Sequence, residues 1–151
     1  MLWEIWVSMW NNLCILLFLI HPLTKWIIFT TLSAKLKVLY LDSNHLTGSI
    51  PDKIGQLQSL ESLFIQNNEL ESKIPSELGD LDSLVHFLAD DNNLTGEFPM
   101  QLLELSRLEK LWLTGNELNG TVTYEACERK EFQLEIKVDC SVPCICCGSC
   151  L

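Results

Sequence analysis

Basic residues are scarce in this chain: ten Lys and Arg stand against twenty Asp and Glu in 151 residues, a net charge of −10. A surface of that sign does not neutralise nucleic-acid phosphates, which excludes DNA and RNA as partners. Histidine is scarcer still, and His21, His45 and His86 each stand where a loop, a turn or an exposed strand explains them without chemistry. There is no glycine-rich phosphate loop and no kinase signature set, and the adjacent carboxylates Asp90 and Asp91 lack a chemical partner. Neither an enzyme nor a cofactor site is expected. Long apolar runs are also missing. The stretch Leu13–Ile20 has eight residues, the length of a signal-peptide core, whereas a spanning helix needs roughly 18 to 20.

The first twelve residues contain no Lys or Arg, so a secretory signal is incomplete at its charged end. Several readings of residues 1–34 therefore stay open. They could be a signal cleaved before Ala34, an uncleaved anchor giving membrane association through residues 13–32, an apolar segment packed on the rest of the chain, or the joined start of a longer protein. Hydrophobic residues at 48% are too many for a disordered chain, and the length suits one domain.

What is present is a repeat. Written in rows of 24, the chain aligns Leu36, Leu60, Leu84 and Leu108, then Leu39, Leu63, Phe87 and Leu111, then Leu41, Ile65, Ala89 and Leu113. Asn44, Asn68, Asn92 and Asn116 share one column, and Leu46, Leu70, Leu94 and Leu118 share another. Gly48, Gly96 and Gly120 recur with Ser72 as the exception, and Pro51, Pro75 and Pro99 recur with Thr123 as theirs. No insertion breaks the register from Leu36 to Val122. The alternation of Leu39 and Leu41 describes a short strand with one buried face, and successive copies stack in parallel about 4.8 Å apart. The four asparagines form a structural ladder, each amide bonding backbone groups that a coil would otherwise bury without partners.

The pattern L-x-x-L-x-L-x-x-N-x-L followed by G-x-I-P resembles the plant-type leucine-rich repeat over about ninety residues. That resemblance implies an α/β solenoid: a right-handed coil with a short parallel sheet on the concave face and irregular or short helical turns on the convex face. Residues 35–126 would hold four repeats. The preceding coil is out of register or absent, so something must cover Leu36, Leu39, Leu41 and Leu46.

Six of the seven cysteines, Cys127, Cys140, Cys144, Cys146, Cys147 and Cys150, come after the last repeat and make residues 127–151 a candidate cap over the open end of the solenoid. Disulfides in an oxidising compartment are the expected cross-link, with pairing undetermined; a zinc site using Cys147 and Cys150 is the competing reading, and no metal is assigned. The ending from Val138 to Cys150 resembles that of leucine-rich repeat proteins of diatoms and related algae, a likeness that transfers no activity.

Strand positions between the buried leucines face outward on the concave side. Tyr40, Phe64, Leu88 and Trp112 form an apolar and aromatic column there. His86 and Lys110 lie on one side of it, and Asp42, Gln66 and Asp90 on the other. These nine residues are the candidate ligand-binding face, because aromatics are enriched at binding hot spots. Aromatic stacking could equally serve strand packing. Asn93 and Asn119 open N-x-T sequons in the turn after the strand and are candidate glycosylation sites. The expected function is an extracellular module, secreted or membrane-anchored, that binds a protein or peptide as a receptor-like ectodomain without a kinase. Four coils suit a peptide or a weak partner better than a standard interface. A structural solenoid of cell wall or matrix, or a fragment of a longer receptor-like protein, is the alternative.

Overall fold

The computed structural model describes residues 36–122, 134–139 and 141–143. Residues 1–34 and all six tail cysteines lie outside them, as does Cys14.

Nine short strands carry the fold among the described residues: β1 (Val38–Tyr40), β2 (Thr47–Gly48), β3 (Ser62–Phe64), β4 (Glu69–Lys73), β5 (His86–Leu88), β6 (Asn93–Glu97), β7 (Lys110–Trp112), β8 (Glu117–Asn119) and β9 (Glu135–Lys137). They form two parallel sheets. One has the order β1-β3-β5-β7-β9 and the other β2-β4-β6-β8. In the first, Leu39 pairs with Leu63, Leu63 with Phe87 and Phe87 with Leu111, so the 24-residue sequence register becomes the strand register. The chain is a leucine-rich repeat solenoid.

Each coil closes through a 3-10 turn, at Asp52–Gln56, Ser76–Asp80 and Met100–Glu104. Pro51, Pro75 and Pro99 precede these turns in extended conformation, where a fixed φ and a missing N–H carry no penalty. Their carbonyls accept the first turn bonds, from Ile54, Leu78 and Leu102. Those three side chains are buried and complete a continuous core with the strand leucines. The coils sit close on this side: a Cβ at Gly55 would stand 2.5 Å from the Glu77 carbonyl oxygen, and one at Gly79 would stand 2.6 Å from the Gln101 Cβ. Absence of a side chain at both positions is what lets consecutive turns stack.

Phe87 and Ala89 show how core volume is balanced within a coil. Phe87 takes a position where neighbouring coils have leucine, Ala89 one where they have isoleucine or leucine, and both are fully buried.

Two features extend beyond the sequence expectation of one four-stranded sheet. The second sheet is formed by residues on either side of the buried leucines Leu70, Leu94 and Leu118, whose column carries no alternating apolar signal. The fifth strand, β9, belongs to the segment after the repeats. It pairs Lys110 with Glu135 and Leu111 with Ile136, one residue longer than the repeat period, and Ile136 and Val138 continue the buried strand columns. No helix among the described residues is long and apolar enough to cross a membrane.

Candidate binding face

The asparagine ladder sets the shape of the concave face. Asn68 Nδ2 donates to the carbonyls of Leu41, Ile65 and Gln66 at 2.9, 3.0 and 3.2 Å, while its Oδ1 accepts from the Leu46 amide at 3.0 Å. Asn92 repeats this toward Ile65 and Leu70, and Asn116 toward Ala89 and Leu94. Asn44, in the first coil, bonds carbonyls of its own coil, those of Leu41 and Asp42. Each interior amide thus spans two coils at the bend where the chain leaves the first sheet for the second, since β4, β6 and β8 begin immediately after Asn68, Asn92 and Asn116. Ser43, Asn67 and Asp91 adopt positive φ just before these asparagines, with Gly115 in the same column.

The outward column differs along its length. Tyr40, half exposed at 53%, stacks on Phe64 with ring centroids 4.7 Å apart and planes 14° from parallel. Phe64 in turn lies 6.4 Å from the His86 ring. Leu88 is half-buried between these rings and Trp112. Trp112 pairs in register with Lys137 of β9, whose ammonium sits 3.6 Å from the ring centroid. Lys110 Nζ lies farther off, at 5.8 Å. The column continues into the added strand as a cation on an aromatic ring, a contact worth about 0.5–2 kcal/mol.

On one flank His86 Nδ1 lies 3.1 Å from Ser62 Oγ and its Nε2 4.0 Å from Glu109 Oε2. This serine, histidine and glutamate do not make an acyl-transfer site. Ser62 is buried, and the backbone amides of Ser62, His86 and Lys110 are spent on the carbonyls of Lys37, Glu61 and Val85. No pair of free amides is left there to stabilise an oxyanion. At the edge of this flank, Lys37 donates to Glu61 at 2.7 Å, a bond that holds the Glu61 carboxyl below its usual range.

The other flank holds Asp42, Gln66 and Asp90, all half-buried. Burial of the Asp90 carboxyl raises its pKa, and the neighbouring Asp91 charge adds to the rise. Among the described residues, three buried side-chain N or O atoms have no hydrogen-bond partner: Gln66 Oε1, Asp90 Oδ1 and Trp112 Nε1. All three belong to the concave face. An unsatisfied buried polar group costs about 1–3 kcal/mol, so the free face carries unmet hydrogen-bonding capacity here and not elsewhere among the described core and turns.

Asn93 and Asn119 both lie exposed on the second sheet, in β6 and β8, to the side of the concave face. The six disulfide candidates, Cys127, Cys140, Cys144, Cys146, Cys147 and Cys150, lie outside the described residues. Among the described residues no cluster of His, Cys, Asp or Glu is arranged to hold a metal. Sequence reasoning missed two contributors to the face, Lys137 and Asp139 on the fifth coil; the signal for both was the Ile136-x-Val138 alternation.

Residues 34–94 match the family model described as leucine rich repeat. Among solved structures, the chain is similar to one from the complex of the Arabidopsis receptor kinase HAESA with the peptide hormone IDA and the co-receptor SERK1, at 31% identity and TM-score 0.66, covering 74% of this chain and 18% of that one. It is also similar to a chain of the BIR3–SERK2 complex from Arabidopsis thaliana, at 33% identity and TM-score 0.64, covering 81% and 67% respectively. A third is the plant peptide hormone receptor RGFR1 in complex with RGF2, at 35% identity and TM-score 0.60, covering 68% and 18%. The chain therefore spans about a fifth of the long receptor chains and two thirds of the shorter one. No curated protein sequence matches it.

Proposed function

We propose, from the premise that this chain belongs to the leucine-rich repeat family, that it is an extracellular protein- or peptide-binding module whose working surface is the concave sheet. The observation that carries this reading is the alignment of Tyr40, Phe64, Leu88 and Trp112 across four parallel strands, beside side-chain polar atoms that the fold leaves unpaired. Large amphipathic rings set on a rigid sheet meet a partner at small entropic cost. The solved neighbours support the reading, since HAESA and RGFR1 are seen with the peptides IDA and RGF2, and BIR3 with SERK2.

In this reading the protein is receptor-like. Residues 13–32 direct it to the secretory route or hold it at a membrane, residues 35–126 bind, and residues 127–151 form a disulfide-linked cap. Asn93 and Asn119 carry glycans on the lateral sheet, clear of the concave column. The competing reading, a structural solenoid, draws on the Tyr40–Phe64 and Trp112–Lys137 contacts, which link neighbouring coils.

Panning a displayed random-peptide library against the full chain, with counter-selection on the Phe64→Ala/Trp112→Ala double variant, tests the proposal. Expected are peptides that bind the native chain and lose the folded double variant by roughly thirtyfold, the effect of about 2 kcal/mol. Peptides that bind both proteins equally contradict it. A double variant that no longer folds assigns the column to packing and favours the structural reading.

A further inference from the structure

Gln66 and Asp90 occupy the same position of successive coils, 24 residues apart, on the flank of the concave face that comes after the aromatic column. The strands leading into them, β3 and β5, are hydrogen-bonded neighbours in parallel register, so the two positions lie about one strand spacing, 4.8 Å, apart. Each holds an acceptor, Gln66 Oε1 and Asp90 Oδ1, that is buried and has no donor among the described residues. Beside them the column supplies apolar and aromatic surface at Phe64, Leu88 and Trp112.

Two unpaired acceptors on neighbouring coils, one of them a carboxylate, beside an aromatic wall make a site with a definite chemistry. It calls for a cation with several N–H donors in one plane and a face able to lie on a ring. We propose that this patch is the subsite for an arginine side chain of the bound peptide, its guanidinium donating to Gln66 and Asp90 and resting against the Phe64–Leu88–Trp112 wall. The proposal rests on the concave face being the peptide-binding surface and names what that surface selects.

The fold itself contains a partial precedent. Lys137 lies 3.6 Å from the Trp112 centroid, so this ring already attracts a cation, and that ammonium pairs with Glu135 at 3.1 Å while its charge also reaches Asp90. Lysine offers a compact point charge, whereas guanidinium presents five donors in a rigid fork and stacks on aromatic faces. Of these two cations only guanidinium can meet both acceptors while keeping a face on the apolar wall. Charge points the same way. Asp42, Asp90 and Asp91 line this flank, and the chain as a whole is at −10, so an arginine-bearing peptide is drawn to it electrostatically. Gln66 and Asp90 are half-buried, so a turn about the terminal side-chain torsion presents their acceptors to an incoming donor.

The test uses blocked single residues as probes: N-acetyl-arginine methylamide, its uncharged isostere N-acetyl-citrulline methylamide, and N-acetyl-lysine methylamide. Each is titrated into the full chain while the Trp112 indole N–H is followed by NMR, the peak being identified by its loss in Trp112→Phe. Expected is a saturable shift with the arginine probe, at least tenfold weaker binding of citrulline, and at least threefold weaker binding of lysine. Gln66→Leu and Asp90→Asn should each weaken the arginine probe fivefold or more with the circular dichroism spectrum unchanged. Asp80→Asn, on the far turn, should not. No saturable shift, equal binding of citrulline or lysine, or an equal loss in Asp80→Asn overturns the proposal. If it fails while peptides from the library still depend on Phe64 and Trp112, the concave face remains the binding surface and only its arginine selectivity is wrong.

Discussion

The Asp139 carboxylate caps the amide of Asn116: Oδ2 accepts from the Asn116 N–H at 3.0 Å while Oδ1 accepts from the preceding residue, Gly115, at the same distance. One coil earlier the equivalent amides of Asp91 and Asn92 donate to backbone carbonyls, those of Thr114 and Gly115, at 2.8 and 3.2 Å. A single side chain thus replaces two main-chain acceptors of a repeat that is not continued in register. Together with β9 it satisfies the edge of β7, the last strand of the repeats. Asp139→Ala leaves both amides without that acceptor and should lower stability by about 2–3 kcal/mol, given about 1.5–3 kcal/mol for a hydrogen bond to a charged group and incomplete additivity. Asp139→Asn keeps one good acceptor and should lose about half as much. Urea unfolding of the full chain reads both, and an alanine variant as stable as the native chain would remove Asp139 from this role.

Ser72 stands in a column otherwise made of glycine and holds φ at 70°, beside Gly48, Gly96 and Gly120 at 81°, 84° and 93°. An L side chain in that region carries about 1–2 kcal/mol of steric cost. Ser72→Gly should therefore stabilise the chain, by roughly 1 kcal/mol after the extra backbone entropy of glycine is offset. Gly96→Ala should do the opposite, because the new Cβ adds a 3.2 Å approach to the Lys73 Cβ. Thermal unfolding that places Ser72→Gly below the native chain would contradict the strain.

Asp90 gives a pH signature. Burial raises its pKa above the ordinary aspartate value of 3.8, so between that value and its folded pKa the native chain holds more protons than the unfolded chain. Stability falls as pH rises through that window. The neutral amide of Asp90→Asn removes the desolvated charge, so the variant should gain in unfolding temperature at pH 7 relative to pH 3. The same substitution weakens the arginine site, a trade of function against stability. A gain that is equal at both pH values would show that charge desolvation is not its cause.

The coil was legible in the sequence wherever a side chain does the same task in every turn. Leu39, Leu63, Phe87 and Leu111 fill one core column, and Asn68, Asn92 and Asn116 repeat one set of bonds, so periodicity exposes them. The second sheet was not legible, because β4, β6 and β8 each bury a single residue among exposed polar ones and are held by main-chain bonds, which side-chain pattern does not report. β9 was hidden by its 25-residue offset from β7, since a search at a strict period of 24 stops at Val122. The outward column was legible as positions but not as contacts. Nothing in the repeat says that Lys137 lies on the ring of Trp112 or that His86 bonds Ser62.

In the proposed function the concave sheet, and not the turn side, meets the partner. Photo-crosslinking of a library-selected peptide reads this directly, with Phe64→benzoylphenylalanine or Tyr40→benzoylphenylalanine on the concave face and Lys53→benzoylphenylalanine or Glu77→benzoylphenylalanine on the turn face. Expected is a peptide adduct from positions 40 and 64, competed by excess unlabelled peptide, with none above background from positions 53 and 77. A competed adduct from positions 53 or 77, with none from 40 or 64, would contradict it.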